Sequence, residues 1–308
     1  MRICTGVCIS LSLLCMGCGN AEPGHAHVKV HEEELHLGLD EPFDLAFIAD
    51  THISLVDKRD KELKDKATLR YEAFVSPEGL HADEMFAEEM DYIKETSPDL
   101  LILGGDIVDS AMYASIDYVE EKVVATGVDH IYGMGNHDFE YGDEYYTDRA
   151  YEEYLPRLGV ISDTRDGYQV KEYDGFIVMV TDDDNNQVTE GALDKLGELC
   201  EGDKPVILCT HVPIEPDAEY SGELMDKSIE AWGAYDDGRS RVLLGYHSCI
   251  PNEITSGFID LVKDKDSPVK LVISGHIHFY NKSNLTGELT QITTGAGYEG
   301  DVIHLRID

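Results

Sequence analysis

Residues 100–109 read LLILGGDIVD. Four consecutive apolar residues suit a buried strand, and the glycines that follow let the chain turn sharply. Asp106 and Asp109 then stand at the carboxyl end of that strand, where α/β sheets bind their ligands. Four more stretches repeat the pattern. FDLAFIA over 43–49 runs into Asp50-Thr51-His52, and the strand expected at 128–132 runs into Gly135-Asn136-His137-Asp138. The strand at 205–209 leads to Thr210-His211-Val212-Pro213, and that at 270–274 to Gly275-His276-Ile277-His278. Each fragment alone is weak, because a Gly-Asn string suits an ordinary turn. Five in order, each after an apolar strand, predict that Asp, Asn and His side chains meet at one rim.

The intervening segments have helical spacing. Phe86, Met90 and Ile93 mark a helix over 82–96, and Ile116, Val119 and Val123 mark another over 112–125. Further strands are expected at 168–172, 176–181, 289–294 and 301–306, with helices at 191–200 and 254–262. Strands separated by helices argue an α/β layer architecture, parallel in its N-terminal half. Hairpin-like spacing after Phe279 makes the sheet mixed. No repeat and no linker splits 41–308, which reads as one domain. Residues 138–167 are tyrosine-rich and acidic, either an excursion over the site or a solvated helix pair.

At 308 residues and 42% hydrophobic, the chain buries a sizeable core and is not disordered. Asp and Glu number 62 against 24 Lys and Arg, a balance of −38. Such a surface is soluble and repels polyanions, so neither a nucleic acid polymer nor anionic lipid is an expected partner. Four of the seven cysteines lie in the first 18 residues; Cys200, Cys209 and Cys249 are too few for a disulfide framework. Cys209, on a buried strand, reads as a small core hydrophobe.

Met1 and Arg2 precede an uncharged, largely apolar run to Met16, the size of a signal h-region and short for a bilayer span. Cys15-Met16-Gly17-Cys18 resembles a bacterial lipoprotein processing site, with Cys18 as the lipidated residue, although Cys15 stands where Leu is usual. Residues 1–17 are then a signal peptide and the protein is exported, held to the cell membrane by a lipid anchor alone and facing outside the cytoplasm; plain secretion, an uncleaved anchor and a misread start are the alternatives. Residues 18–40 read as a tether and a lead-in strand, with His25, His27, His31 and His36 solvated.

Carboxylate, amide oxygen and imidazole without thiolate suit borderline first-row ions such as Mn, Fe or Zn. A central aspartate can bridge two of them, and such a pair lowers the pKa of a bridging water to give hydroxide near neutral pH. At these residues the chain resembles the calcineurin-like metallophosphoesterases, a family of dinuclear phosphohydrolases. All five of that family's blocks are present in order between residues 50 and 278. They are specific for the family and say little about substrate. The resemblance implies a four-layer αββα sandwich, two mixed β-sheets flanked by helices, and two divalent or trivalent metal ions. It places Asp50, His52, Asp106 and His278 on the first metal, and Asp106, Asn136, His211 and His276 on the second. It makes His137 the proton donor or transition-state stabiliser at the leaving group, with Asp138 orienting it, and the bridging hydroxide the attacking group on a phosphoester. Asp109 is then support behind the ligands or a helix cap.

Other residues are less determined. His247, in GYHSC, reads as a pocket contact or an ordinary loop histidine. Arg70 is a phosphate ligand or, as its acidic neighbourhood favours, a surface cation paired with acids. Tyr280 walls the site or packs in the core, and Trp232 has no assigned role. The expected activity is hydrolysis of a small external mono- or diester. A non-hydrolytic metal-binding or surface interaction protein on the same scaffold is the alternative, against which the His137–Asp138 pair argues. Nothing in the sequence speaks to oligomeric state.

Overall fold

The computed structural model describes residues 25–141, 147–161, 166–183, 186–216, 218–235, 240–246 and 249–308. Two sheets stack face to face. The first is built from β1 (Lys29–Leu35), β2 (Phe43–Ile48), β3 (Leu100–Gly104), β4 (His130–Gly133) and β11 (Asp301–Ile307), in the order β1-β11-β2-β3-β4. The second contains β5 (Tyr168–Glu172), β6 (Ile177–Thr181), β7 (Val206–Cys209), β8 (Val269–Ser274), β9 (Asn281–Asn284) and β10 (Thr290–Thr293), in the order β5-β6-β7-β8-β10-β9. Both are mixed. β2, β3 and β4 run parallel, as do β6, β7 and β8, while β11 against β2 and β9 against β10 are antiparallel.

Strand alternation sorts the side chains into layers. Leu45, Phe47, Leu100 and Ile102 point into the inter-sheet core, where they meet Val178, Val180, Ile207, Cys209, Leu271 and Ile273. Their neighbours Ala46, Ile48, Leu101 and Leu103 face outward to α2 (Ala82–Thr96), α3 (Tyr113–Thr126) and α4 (Asp148–Leu158). Met179, Leu208 and Val272 face the other way, onto α5 (Glu190–Cys200) and α7 (Glu253–Lys263). Both faces of both sheets are therefore covered, which is why the central strands are near-continuous apolar runs. The result is an αββα sandwich. α1 (Lys64–Ala73) and α6 (Ala218–Trp232) complete the helices of the described residues; none is long and apolar enough to cross a membrane. The lead-in strand is β1, paired parallel to β11.

Of the N-terminal histidines, His36 is exposed as expected, whereas His25, His27 and His31 are partly buried, and all four pair with acids. His25 pairs with Glu95, His27 with Glu88, His31 with Asp301 and His36 with Asp308, at 2.5–3.0 Å. An acidic body offers carboxylates wherever the lead-in segment crosses it. Tyr280 bonds Glu33 and stacks on His31 instead of walling the site. The proposed signal peptide and Cys18 lie outside the described residues, as does His247.

One buried group opposes the rest of the packing. Glu89 on α2 is fully buried, and neither carboxylate oxygen has a hydrogen-bond partner among the described residues. Burial, reinforced by Asp301, drives its pKa well above the carboxylate range and so favours the protonated form in the folded protein. An acid with a raised folded pKa loses stability as pH climbs above its unfolded value, because only the unfolded chain releases the proton. Glu89→Gln should therefore melt higher than the parent at pH 7, with the gap closing as pH falls toward the ordinary carboxylate range. Thermal denaturation across pH checks this; a gap independent of pH would show Glu89 to be ionised.

Candidate metal centre

The site forms where the carboxyl ends of β2, β3, β4, β7 and β8 come together. The loops after β2 and β3 are zipped by their backbones: Asp50 N–H donates to Gly105 O, His52 N–H to Asp106 O, and Ile53 N–H to Ile107 O, at 2.9–3.0 Å. Asp109 N–H returns a bond to Ile53 O at 3.0 Å. Asp50, His52 and Asp106 in this lattice, and His276 and His278 beyond β8, have φ between 52° and 72°, the left-handed region that non-glycine residues rarely occupy. Clustering of such conformations at five of the seven expected ligands is how a strained site looks when its surroundings over-determine it.

Carboxylates below the rim pin each loop. Asp50 Oδ2 accepts the N–H of His276 at 2.8 Å, and Asp106 Oδ1 that of His137 at 2.7 Å. Asp183, which sequence reading passed over, accepts the N–H groups of His211 and Val212, both at 2.8 Å. Its signal was the acidic run Asp182-Asp183-Asp184 directly after β6.

The seven expected ligands converge. His52 Nε2 lies 3.2 Å from His278 Nε2, which is 3.4 Å from Asp50 Oδ1. His211 Nε2 is 3.2 Å from Asp106 Oδ2 and 4.0 Å from Asp50 Oδ1; Asp106 Oδ2 is 3.9 Å from His52 Nε2. Ligand atoms of Asp50, His52 and His278 lie within 4.8 Å of one another, as do those of Asp106, His211 and His276. Asn136 lines the same cleft.

These residues fit two cations. Asp50 Oδ1, Asn136 Oδ1 and His211 Nε2 are buried and make no hydrogen bond among the described residues, an arrangement that costs about 1–3 kcal/mol per group unless something else satisfies it. The other faces of two imidazoles are already engaged. His211 Nδ1 bonds Gly104 O at 3.0 Å, and His276 Nε2 bonds Arg241 O, leaving His211 Nε2 and His276 Nδ1 as the nitrogens free to ligate. Burial presses His52 and His276 down to about 4, so both keep a lone pair at neutral pH. Burial also opposes the charge on Asp106 and Asp50, but His211 and His137 hold Asp106 well below the carboxylate range, and His278 lowers Asp50.

The expected role of Asp138 is corrected. Its carboxylate accepts from the N–H groups of Asp106, Val108 and Gly135 and from the Tyr132 hydroxyl, at 2.6–2.9 Å. None of these is His137. A fully buried carboxylate saturated by four donors ties the β3 and β4 loops together and cannot reach the neighbouring imidazole. Asp109 orients His137 in its place, with Oδ1 2.8 Å from Nδ1. Burial disfavours the imidazolium, yet Asp106 and Asp109 raise His137 to about 9.

Three wall residues had no role in the sequence reading. Phe74, just beyond α1, stacks on His52 with centroids 4.0 Å apart. Tyr298 lies 5.7 Å from the His278 ring, and Trp232, at the end of α6, lies 6.2 Å from it. Together with Arg70 they border a cleft of about 440 Å³ above the ligands.

Gly275 shows how tightly the ligands are set. A Cβ there would lie 2.6 Å from Asp50 Oδ2 and from the Ala49 Cβ. Gly275→Ala should weaken metal affinity about 10–100-fold, the usual effect of disturbing groups behind a ligand, with the far-UV spectrum retained. Titration of the stripped protein with Mn checks it; unaltered affinity would mean that Asp50 is not a ligand.

A family model for calcineurin-like phosphoesterase matches residues 43–280. No curated protein matches the sequence. Among solved structures, a dimetal phosphatase from Danio rerio superposes with a TM-score of 0.50 at 13% identity, covering 83% of this chain and 88% of that one. A purple acid phosphatase from yellow lupin (Lupinus luteus) gives 0.49 at 12%, covering 86% and 45%. At 13% identity the first of these likenesses shows the shared fold alone, and the family match carries the assignment: the chain belongs to the calcineurin-like phosphoesterase family.

Proposed function

We propose that the protein hydrolyses phosphoester bonds of small molecules with a pair of metal ions held by Asp50, His52, Asp106, Asn136, His211, His276 and His278. The observation that carries the reading is the convergence of buried, unsatisfied ligand atoms beside His137, an imidazole oriented by Asp109 and so placed to donate a proton. Bound ions would supply charge neutralisation for phosphoryl oxygens and make water more acidic. The chain's own residues do the rest. With Nδ1 engaged by Asp109, Nε2 of His137 is the nitrogen left to protonate a departing alkoxide. Phe74, Trp232 and Tyr298 shield the cleft from water on one side and favour a flat, apolar leaving group there.

The acidic surface supports small substrates over polyanions. The export signal over 1–17 and Cys18 support a reaction outside the cytoplasm at the end of a lipid tether. Mass spectrometry of the mature N-terminus tests that part: a diacylglyceryl group on Cys18 supports it and an intact Met1 refutes it.

The activity test is turnover of p-nitrophenyl phosphate and bis(p-nitrophenyl) phosphate by protein loaded with Mn, Fe or Zn. Chelation should abolish turnover, and readdition of metal should restore it. A fully loaded protein that cleaves neither ester would leave the metal-binding alternative standing. His137→Ala should lower turnover of an alkyl phosphate about 10²–10⁴-fold and that of p-nitrophenyl phosphate, whose leaving group needs no proton, by much less. Elemental analysis should find its metal content unchanged; loss of both ions would make His137 a ligand.

A further inference from the structure

Arg70 sits in the last turn of α1, the helix that follows the Asp50–His52 loop, and its side chain reaches into the cleft. Nε donates to Asp109 Oδ2 at 2.7 Å and Nη2 to Asp109 Oδ1 at 2.8 Å, a two-point clamp on a buried carboxylate. Nη2 also lies 3.4 Å from His137 Nδ1, and the guanidinium carbon stands 4.6 Å above the centre of the Phe74 ring. The group is thus held on three sides. An arginine carries five N–H donors. Asp109 takes one from each of two nitrogens, and Nη1 makes no hydrogen bond among the described residues. Arg70 is the sole lysine or arginine among the described residues lining the cleft, in a protein of net charge −38.

Asp109 alone does not account for this arrangement. The carboxylate already faces His137 and His52, at 2.8 and 3.5 Å, and a neutral donor would satisfy its outer lone pairs. A guanidinium kept one-third exposed at the mouth of an anion-binding cleft is oriented in advance, so little side-chain entropy is lost when it binds. A phosphomonoester presents one more unesterified oxygen and one more negative charge than a diester. Arg70 is the group placed to meet both.

We infer that Arg70 is a substrate-binding residue whose unengaged guanidinium edge takes an unesterified phosphoryl oxygen, making the site selective for phosphomonoesters over diesters. This rests on the phosphoesterase reading above. It makes Asp109 a two-way coupler, holding the proton donor on one oxygen and the phosphate clamp on both.

The test compares p-nitrophenyl phosphate with bis(p-nitrophenyl) phosphate, which share a leaving group, in metal-loaded wild type, Arg70→Gln and Arg70→Lys. Metal content is measured on the same samples. Arg70→Gln should lower kcat/KM for the monoester about 10–100-fold, the loss of one hydrogen bond to a charged group. The effect should fall mainly on KM, and the diester should suffer a smaller loss, so that the mono-to-diester ratio drops about tenfold. Arg70→Lys should recover part of it, keeping the charge without the fork. Equal losses on both esters would reduce Arg70 to a support for Asp109 and overturn the inference. Calorimetry with inorganic phosphate provides a readout independent of turnover. Binding by the wild type that is lost in Arg70→Gln supports the clamp; equal binding, or none by the wild type, overturns it. If the loaded wild type turns over neither ester, the phosphoesterase reading itself fails, and the phosphate isotherms still decide whether Arg70 binds an anion.

Discussion

Asp106 must stay ionised with almost no solvent around it, and the rim of the sandwich is shaped by that requirement. Its side chain accepts the His137 N–H and lies against His211, while its own N–H is taken by Asp138. Isolating a carboxylate in such a place is expensive unless donors and positive charge surround it. The five left-handed ligand residues are the geometric consequence: bending the chain back at each strand end is what brings the backbone donors close. Conformations of that kind cost on the order of 1–3 kcal/mol each. The cost is offset below the rim, where both faces of both sheets are packed, and by any cations that share the lone pairs left over.

Gly105 makes the same point from the backbone. It holds φ +98°, and a Cβ there would lie 2.5 Å from His211 Nδ1. The approach of the β3 loop to a histidine from the other sheet therefore depends on the missing side chain. The inter-sheet core sets the distance between β3 and β7, and that distance sets how far His211 stands from Asp106. Packing and ligation are in this sense one constraint: altering the volume between Phe47 and the opposite sheet shifts one half of the ligand set against the other.

The sandwich was legible where the physics is local. Apolar strands ending in Gly, Asp, Asn and His, separated by segments of helical period, give β2, β3, β4, β7 and β8 within two residues and α2 to the residue. The candidate metal ligands were legible for the same reason, since each sits two to four residues beyond a strand. Three kinds of feature were not. α1 and α6 lack a clear apolar stripe or lie in acidic surroundings, so their periods are faint. The partner of His137 depends on which of two aspartates has its lone pairs free, and that is settled by three backbone N–H groups and Tyr132, none of which can be placed from sequence. The pairing of the N-terminal histidines with distant acids is tertiary throughout.

That division between legible and illegible has a chemical meaning. The candidate metal-holding groups come from strand ends, where sheet geometry repeats from protein to protein within a family and leaves a pattern in the chain. The other groups lining the cleft come from connecting elements: Arg70 and Phe74 from α1 and the residue after it, Trp232 from the end of α6, and Tyr298 from the turn before β11. Such segments can vary without disturbing the sheets. Phe74 stacks on the ligand His52 with one ring contact and meets the Arg70 guanidinium with another. The lining contributed by α1 is therefore seated directly on the candidate ligands, and Asp109 joins the two a second time through the imidazole of His137. Changes in α1 can retune the shape of the cleft only within the limits that keep this double attachment, so the proposed substrate preference is to be sought in the connecting segments and the proposed chemistry in the loops at the strand ends.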